Sequence, residues 1–386
     1  MAKHILFTAA VGSVAVAVIL FWLKSRQKYK KKGISSLIGD TPLVRIDSLS
    51  DATGCEIMAK VEFVNVGGSP KDRVALYIIE QAENMNLITP NTQCTIFEGT
   101  VGSTGISIAT IAKSKGYNAW IVMPDDVAIE KRQLLQRLGA HVECVRPCSI
   151  IDEGHFVNIA RRRALEMNKA ADLDDSLPRA FHVNQFENID NITAHFYSTG
   201  PEIYTQTNGI IHALVLGCGT GGTLAGVCRY LKPRIPNLHV VLADPQGSGI
   251  YNKIKHGVMF TSQEAEGTRQ RHQMDTIVEG VGLKRLTVNL TTAISYCNDS
   301  IKVTDLEALE MSRYLLKNDG LFVGSSSAVN LVAAYRLAKL MGPGKVIVTM
   351  LCDHGSRHMT KFWCDQYIEK RGLICTSTGL EFIGIN

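Results

Sequence analysis

The chain has no Cys-x-x-Cys pair. Its ten cysteines lie scattered at 55, 94, 144, 148, 218, 228, 297, 352, 364 and 375. The closest two, Cys144 and Cys148, lack the partners of a zinc site, so no metal role is expected. In a chain of 386 residues this pattern fits reduced thiols in a cytosol-like compartment. Internal repeats and low-complexity tracts are absent too. Acidic residues are missing from residues 1–32, which carry seven Lys/Arg. Beyond residue 32 the balance is 34 basic to 36 acidic. That near-neutral body gives no support for nucleic-acid binding.

What is present is a large apolar fraction, 45%, and 33 glycines. The length suits one two-lobed unit or two to three domains. Ile5 to Leu23 is a run of 19 residues without a charge, with Phe21 and Trp22 near its end. Its length matches a membrane-spanning helix, and the aromatic pair matches an interfacial belt. The run passes straight into basic residues rather than a small-residue cleavage site, which disfavours a secretory signal. The basic flank places residue 24 onward in the cytosol. The pattern is that of a signal anchor of the mitochondrial outer membrane, with the endoplasmic reticulum as the alternative.

From Ile34 the chain alternates strand-like and helix-like stretches. Strands are expected at 56–62, 94–98, 119–122, 141–145, 211–216, 239–243 and 346–350. Helices are expected at 71–85, 104–115, 128–138, 222–231, 305–317 and 327–340. Such alternation predicts an α/β fold of parallel-type sheets flanked by helices. Polar stretches at 167–178 and 260–274 read as surface loops.

Lys71 sits in Gly67-Gly68-Ser69-Pro70-Lys71-Asp72-Arg73. Ser69 reads as an N-cap and Pro70 as the first helical residue, so Lys71 falls in a first helical turn. There the helix dipole disfavours the ammonium, and a neutral amine is the form that attacks carbonyls. A solvated lysine balanced by Asp72 is the plain alternative. A second run, Gly217-Cys218-Gly219-Thr220-Gly221-Gly222-Thr223, follows an apolar strand and opens a helix. Its N–H groups can close around an anion. It also fits G-x-G-x-x-G, with Asp244 as a candidate ribose acid. The run alone does not choose between a dinucleotide and a single phosphate. A third run, Glu98-Gly99-Thr100-Val101-Gly102-Ser103-Thr104-Gly105, can hold a carboxylate or be a plain capped helix. In a fourth, Gly324-Ser325-Ser326-Ser327, a serine either caps a helix or serves as a neutral partner for a ring nitrogen.

Further motifs stand in the same order along the chain. They are Ile38-Gly39-Asp40-Thr41-Pro42-Leu43-Val44, Met123-Pro124 with Lys131-Arg132-Gln133-Leu134-Leu135, and Gln185-Phe186-Glu187-Asn188 with Thr199-Gly200-Pro201-Glu202-Ile203. Together with the runs above, the sequence resembles the cysteine synthase and cystathionine β-synthase family of pyridoxal-phosphate enzymes, over about residues 34–372. The resemblance implies a two-lobed, tryptophan synthase β-like fold, with a small lobe at 64–188 and a large lobe from 34–63 and 189–386. It also implies a homodimer. By matching position, Lys71 would be the Schiff-base lysine and the carrier of the substrate α-proton. Gly219, Thr220, Gly221, Gly222 and Thr223 would cradle the cofactor phosphate, and Ser326 would face the pyridine nitrogen. Thr100, Val101, Gly102, Thr104 and Gln185 would surround the substrate carboxylate, and Gly280 would line the substrate site.

Two stretches depart from the family pattern. Val101 removes a hydroxyl from the carboxylate loop, and Ser103 stands where an asparagine usually contacts the cofactor, as in a fungal branch of the family. Asp353-His354-Gly355-Ser356-Arg357-His358 replaces the usual Ser-Ser-Gly-Glu-Arg-Tyr. The activity implied is a membrane-anchored cysteine synthase acting on O-acetylserine and sulfide. The alternatives are cystathionine β-synthase-like or serine dehydratase chemistry, or a cofactor-binding, membrane-tethered protein with little catalysis.

Overall fold

A computed structural model describes residues 33–261 and 276–384. It divides into two compact units, Met1–Leu37 and Ile38–Asn386. Of the first, only Gly33 to Leu37 are described, with a 3-10 turn at Ile34–Leu37. The expected membrane segment Ile5–Leu23 lies outside the described residues, as does most of the expected 260–274 loop. No helix among the described residues is long and apolar enough to cross a membrane.

The second unit holds two sheets. The strands are β1 (Leu43–Arg45), β2 (Glu56–Val61), β3 (Thr95–Gly99), β4 (Asn118–Pro124), β5 (His141–Val145), β6 (Ala180–His182), β7 (Ala213–Gly217), β8 (His239–Pro245), β9 (Asp299–Val303) and β10 (Val346–Leu351). One sheet runs β1-β2-β10-β7-β8-β9 and the other β5-β4-β3-β6. Every pair is parallel except β1 with β2, where Val44 lies opposite Ala59. Central strands are apolar on both faces, as in Ala-Leu-Val-Leu of β7, because helices cover both sides.

The helices that matter below are α1 (Lys71–Asn84), α2 (Ser103–Lys115), α3 (Ile129–Arg137), α4 (Asp190–Tyr197), α5 (Thr199–Gln206), α6 (Gly222–Leu231) and α7 (Ser325–Met341). Helix α7 is buried along most of its length, and its small Ser and Ala residues let it lie deep in the main core beside Val215, Val241 and Ile347. Seven strands and six helices stand where the sequence placed them, within a few residues. Strands β1, β6 and β9 were not foreseen. Two have only three residues, and β9 alternates with charged Asp299 and Lys302. The expected loop at 167–178 begins too early: Met167–Ala171 finish a helix, Phe156–Ala171. Its buried Phe156, Ile159, Ala160 and Ala164 recur at helical spacing, a signal the polar end masked.

Candidate active site

The carboxyl ends of β7 and β10 and the amino ends of α1, α2, α6 and α7 converge on one cavity of about 170 Å³. Lys71 is the first residue of α1, one later than the sequence suggested, and Ser69 Oγ accepts its backbone N–H at 3.3 Å. The side chain lines the cavity, and no hydrogen bond or ion pair of its amine is found among the described residues. Burial lowers its pKa from the ordinary 10.5, only partly opposed by the nearby Cys352, Cys218 and Glu62. The plain reading, a lysine balanced by Asp72, is overturned. Asp72 turns away, accepting Gly67 N–H at 2.6 Å and the Ser107 hydroxyl at 2.5 Å. Arg73, fully enclosed, forks onto Glu62 (2.8 and 2.8 Å) and Glu202 (2.6 and 2.9 Å), pinning the first turn that carries Lys71.

The glycine run forms the turn from β7 into α6. Gly219, Thr220, Gly221 and Thr223 line the cavity. Gly221 has φ +92°, and a β-carbon there would lie 2.6 Å from the Leu290 backbone, so only glycine fits. Gly222 does not line the cavity. It abuts the Asn191 side chain and, with Gly226 against the Ile192 carbonyl, lets α4 pack closely on α6. Asp244, the candidate ribose acid, is buried outside the cavity and accepts Tyr251 N–H at 2.7 Å. Burial raises its pKa to about 7, and its place outside the cavity with that N–H bond gives it to the turn before Tyr251.

At the start of α7, Ser325 Oγ accepts Glu279 N–H at 3.0 Å, and Ser327 Oγ accepts Cys352 N–H at 2.8 Å. Those two serines fasten the helix, and Ser326 lines the cavity. Asn330, one turn on, takes Gly217 N–H at 2.7 Å and donates to Met350 O at 2.9 Å, locking helix to strand ends. Two thiols also face the cavity. Burial pushes Cys352 up to about 12 and Cys218 well above its usual 9.0. Both stay protonated and are poor nucleophiles.

The carboxylate run lies at the amino end of α2. Thr100, Val101, Ser103, Thr104 and Gln185 line the cavity, and Gly102 does not; a β-carbon there would lie 2.6 Å from the Lys131 stem. Thr100 Oγ accepts Gly102 N–H at 3.2 Å, leaving its hydrogen free. Thr104 donates to Gln185 Oε1 at 2.6 Å, and Gln185 Nε2 donates to Glu98 and to Gly99 O, both at 3.2 Å. Both amide hydrogens of Gln185 are therefore engaged as it stands. A carboxylate would meet Thr100, the first-turn N–H groups of α2 and a Thr104 hydroxyl that must turn. Burial raises Glu98 to about 8, against the N–H groups of Gln185, Asn184 and Gly99 that donate to it. Gly280, at φ +91°, has open space where a β-carbon would sit and borders the cavity.

Sequence reasoning missed the charge cluster between this cavity and a second one. Glu279 pairs with Lys131 of α3 and, at 3.3 Å, with Lys361. His358 Nε2 meets Asp353 at 2.9 Å. Burial alone would raise Glu279, but Lys131, His358 and Lys361 outweigh it and hold it at about 2. Its members are separated by up to 230 residues, and only contact in three dimensions reveals them as a set. A second cavity of about 140 Å³ adjoins here and shares Val101, Phe156, Glu279 and Gly280 with the first.

The chain matches the family model described as "Pyridoxal-phosphate dependent enzyme" over residues 34–353. It is 54% identical over 353 residues to "Cysteine synthase 2" of Schizosaccharomyces pombe, covering 91% of this chain and 88% of that protein. It is 51% identical to a Saccharomyces cerevisiae protein named "Putative mitochondrial cysteine synthase", covering 86% and 84%. Among solved structures, the O-acetylserine dependent cystathionine beta-synthase of Helicobacter pylori superposes with a TM-score of 0.69 at 30% identity, over 86% of this chain and 98% of that one.

Proposed function

We propose, from the premise that this chain belongs to the family of pyridoxal-phosphate dependent enzymes, that it is a cysteine synthase converting O-acetylserine and sulfide into cysteine and acetate. The observation that carries this reading is the meeting of Lys71, the Gly219–Thr223 turn and Ser326 on one cavity, in a chain 54% identical to a protein of that name.

The residues present fit the cofactor. An amine with depressed pKa suits a carbonyl, and a glycine turn at a helix amino end suits a phosphate. A neutral serine suits a ring nitrogen that is to stay largely unprotonated. When bound, pyridoxal phosphate supplies an electron sink conjugated to the substrate's α-carbon.

The chain's own residues do the rest. Lys71 would hold the cofactor and, once the substrate's amine has displaced it, its freed Nζ would take the α-proton as acetate departs. Thr100, Thr104 and the amino end of α2 orient the substrate carboxylate. Val101 makes the floor of that loop apolar, and Ser103 supplies a single short hydroxyl toward the cofactor. The protonated Cys218 and Cys352 leave sulfide as the only thiol nucleophile in reach. Gly280 leaves open the space through which sulfide arrives. Purified, cofactor-loaded protein should form cysteine from the two substrates. A folded, loaded protein that forms none defeats the reading.

The same proposal includes the small lobe at 64–188 closing on substrate, read out as compaction in small-angle scattering when O-acetylserine is added. It includes a homodimer, which sedimentation velocity tests. It also includes an anchor at residues 5–23 in the mitochondrial outer membrane, with the body in the cytosol. The uncharged run, its basic flank and the name of the yeast relative support this placement. Release of the full chain from mitochondria by alkaline carbonate would reject the anchor.

A further inference from the structure

Helix α4 lies directly beneath the glycine turn, and two of its buried side chains, Asn191 and His195, sit one turn apart facing it. Asn191 Nδ2 donates to Thr220 Oγ at 2.9 Å and to Gln185 O at 2.8 Å. His195 Nε2 lies 3.1 Å from Thr223 Oγ, and its Nδ1 lies 2.8 Å from Thr199 Oγ. His195 and Thr199 are both fully buried.

Hydrogen counting fixes the direction of this chain of contacts. A threonine hydroxyl has one hydrogen. Thr199 makes no other side-chain hydrogen bond among the described residues. Were Nδ1 protonated, it would donate to Thr199 and strand that buried hydrogen without an acceptor, a costly arrangement. The satisfied arrangement has Thr199 donating to an unprotonated Nδ1, which puts the ring's single proton on Nε2. Nε2 then donates to Thr223. The ring is neutral: burial, then the charges of Lys71 and Arg73, drive its pKa well below 6.5.

We infer that α4 sets the polarity of the anion cradle: Asn191 and His195 each donate to a threonine oxygen of the turn, so the hydroxyl hydrogens of Thr220 and Thr223 are left to point into the cavity as donors. A doubly charged phosphate accepts such hydrogens and has none to give. Had the histidine been the acceptor, Thr223 would have turned its only hydrogen away from the ligand. Asn191 and His195 are positioning residues, acting through the threonines. The inference rests on the reading of Gly219–Thr223 as the phosphate site.

The test has two arms. In the full chain labelled with 15N-histidine and freed of cofactor, the His195 resonances, assigned by their loss in His195→Gln, should show a proton on Nε2 and none on Nδ1. A proton on Nδ1 overturns the inference without touching the phosphate reading. The second arm titrates pyridoxal phosphate and pyridoxal into the wild type, His195→Leu, Thr223→Val and the double variant. Thr223→Val should weaken pyridoxal phosphate roughly 10- to 100-fold, the loss of one hydrogen bond to a charged group. His195→Leu should weaken it about 2- to 10-fold. The double variant should be no weaker than Thr223→Val, and pyridoxal should bind all four alike. Additive losses, or equal losses for pyridoxal, mean a merely structural histidine and overturn the inference. Undiminished pyridoxal phosphate binding by Thr223→Val removes the phosphate reading itself, and the inference with it.

Discussion

The two ends of the cavity are built on different principles. The inner end is made of backbone, hydroxyls and an amine: Gly219 to Thr223, Ser326 and Lys71, all at helix amino ends and held by close packing. The other end, beside the second cavity, is made of ionisable side chains, Lys131, Glu279, Lys361 and the Asp353–His358 pair, drawn from distant parts of the chain. Backbone and hydroxyl donors at the inner end suit a ligand that stays. Paired ionisable groups that bridge separate segments suit holding those segments together. The comparison separates residues that would hold a cofactor from residues that hold segments together, and substitutions should divide accordingly.

The largest effect should come from Lys71→Ala. Loss of the cavity amine that has no ion-pair partner among the described residues should lower cysteine formation by about 10³-fold, measured under saturating cofactor, while the thermal midpoint changes little. Retained synthesis would break the account at its inner end.

Glu279→Gln should act chiefly on stability. It leaves the enclosed ammonium of Lys131 without its carboxylate, at a cost of roughly 3 kcal/mol, read from chemical unfolding. The pH dependence has a definite sign. Glu279 falls from 4.5 to about 2 in the folded protein, and Asp353 from 3.8 to about 2. Their stabilisation is fully present above pH 4.5 and is lost as pH falls toward 2. The Glu279→Gln protein should lose less stability over that window than the wild type, and an identical acid profile would remove Glu279 from the cluster.

Gly221→Ala tests the inner end without changing charge. A positive φ and a backbone contact at 2.6 Å both oppose the methyl group. Strain of about 1–3 kcal/mol should appear as weaker cofactor binding, followed by fluorescence titration. The smallest effect should follow Val101→Ser. A restored hydroxyl on the carboxylate loop should lower KM for O-acetylserine by no more than about tenfold, with kcat unchanged. A change in kcat instead would mean that Val101 acts on the chemistry and not on binding alone.

The division between the ends also explains what was legible in sequence. The inner end is contiguous: a strand, a glycine turn and a helix spell out Gly219–Thr223, and Ser69-Pro70-Lys71 spells out a helix start. Strands β7 and β8 announced themselves by unbroken apolar runs. By contrast, β6 and β9 are short and partly polar, and pairing with neighbours rather than propensity makes them strands. Asn191 and His195 carried no signal, because their role depends on α4 lying against Gly222 and Gly226. Gln185 lines the cavity, yet the engagement of its amide by Thr104, Glu98 and Gly99 could be seen only from distances.

The most direct test of the central claim is the visible absorption of the cofactor-loaded full chain. Adding O-acetylserine should shift the cofactor band to longer wavelength, and sulfide should return it while cysteine appears. A band that is present but does not respond to O-acetylserine would contradict the proposed synthase.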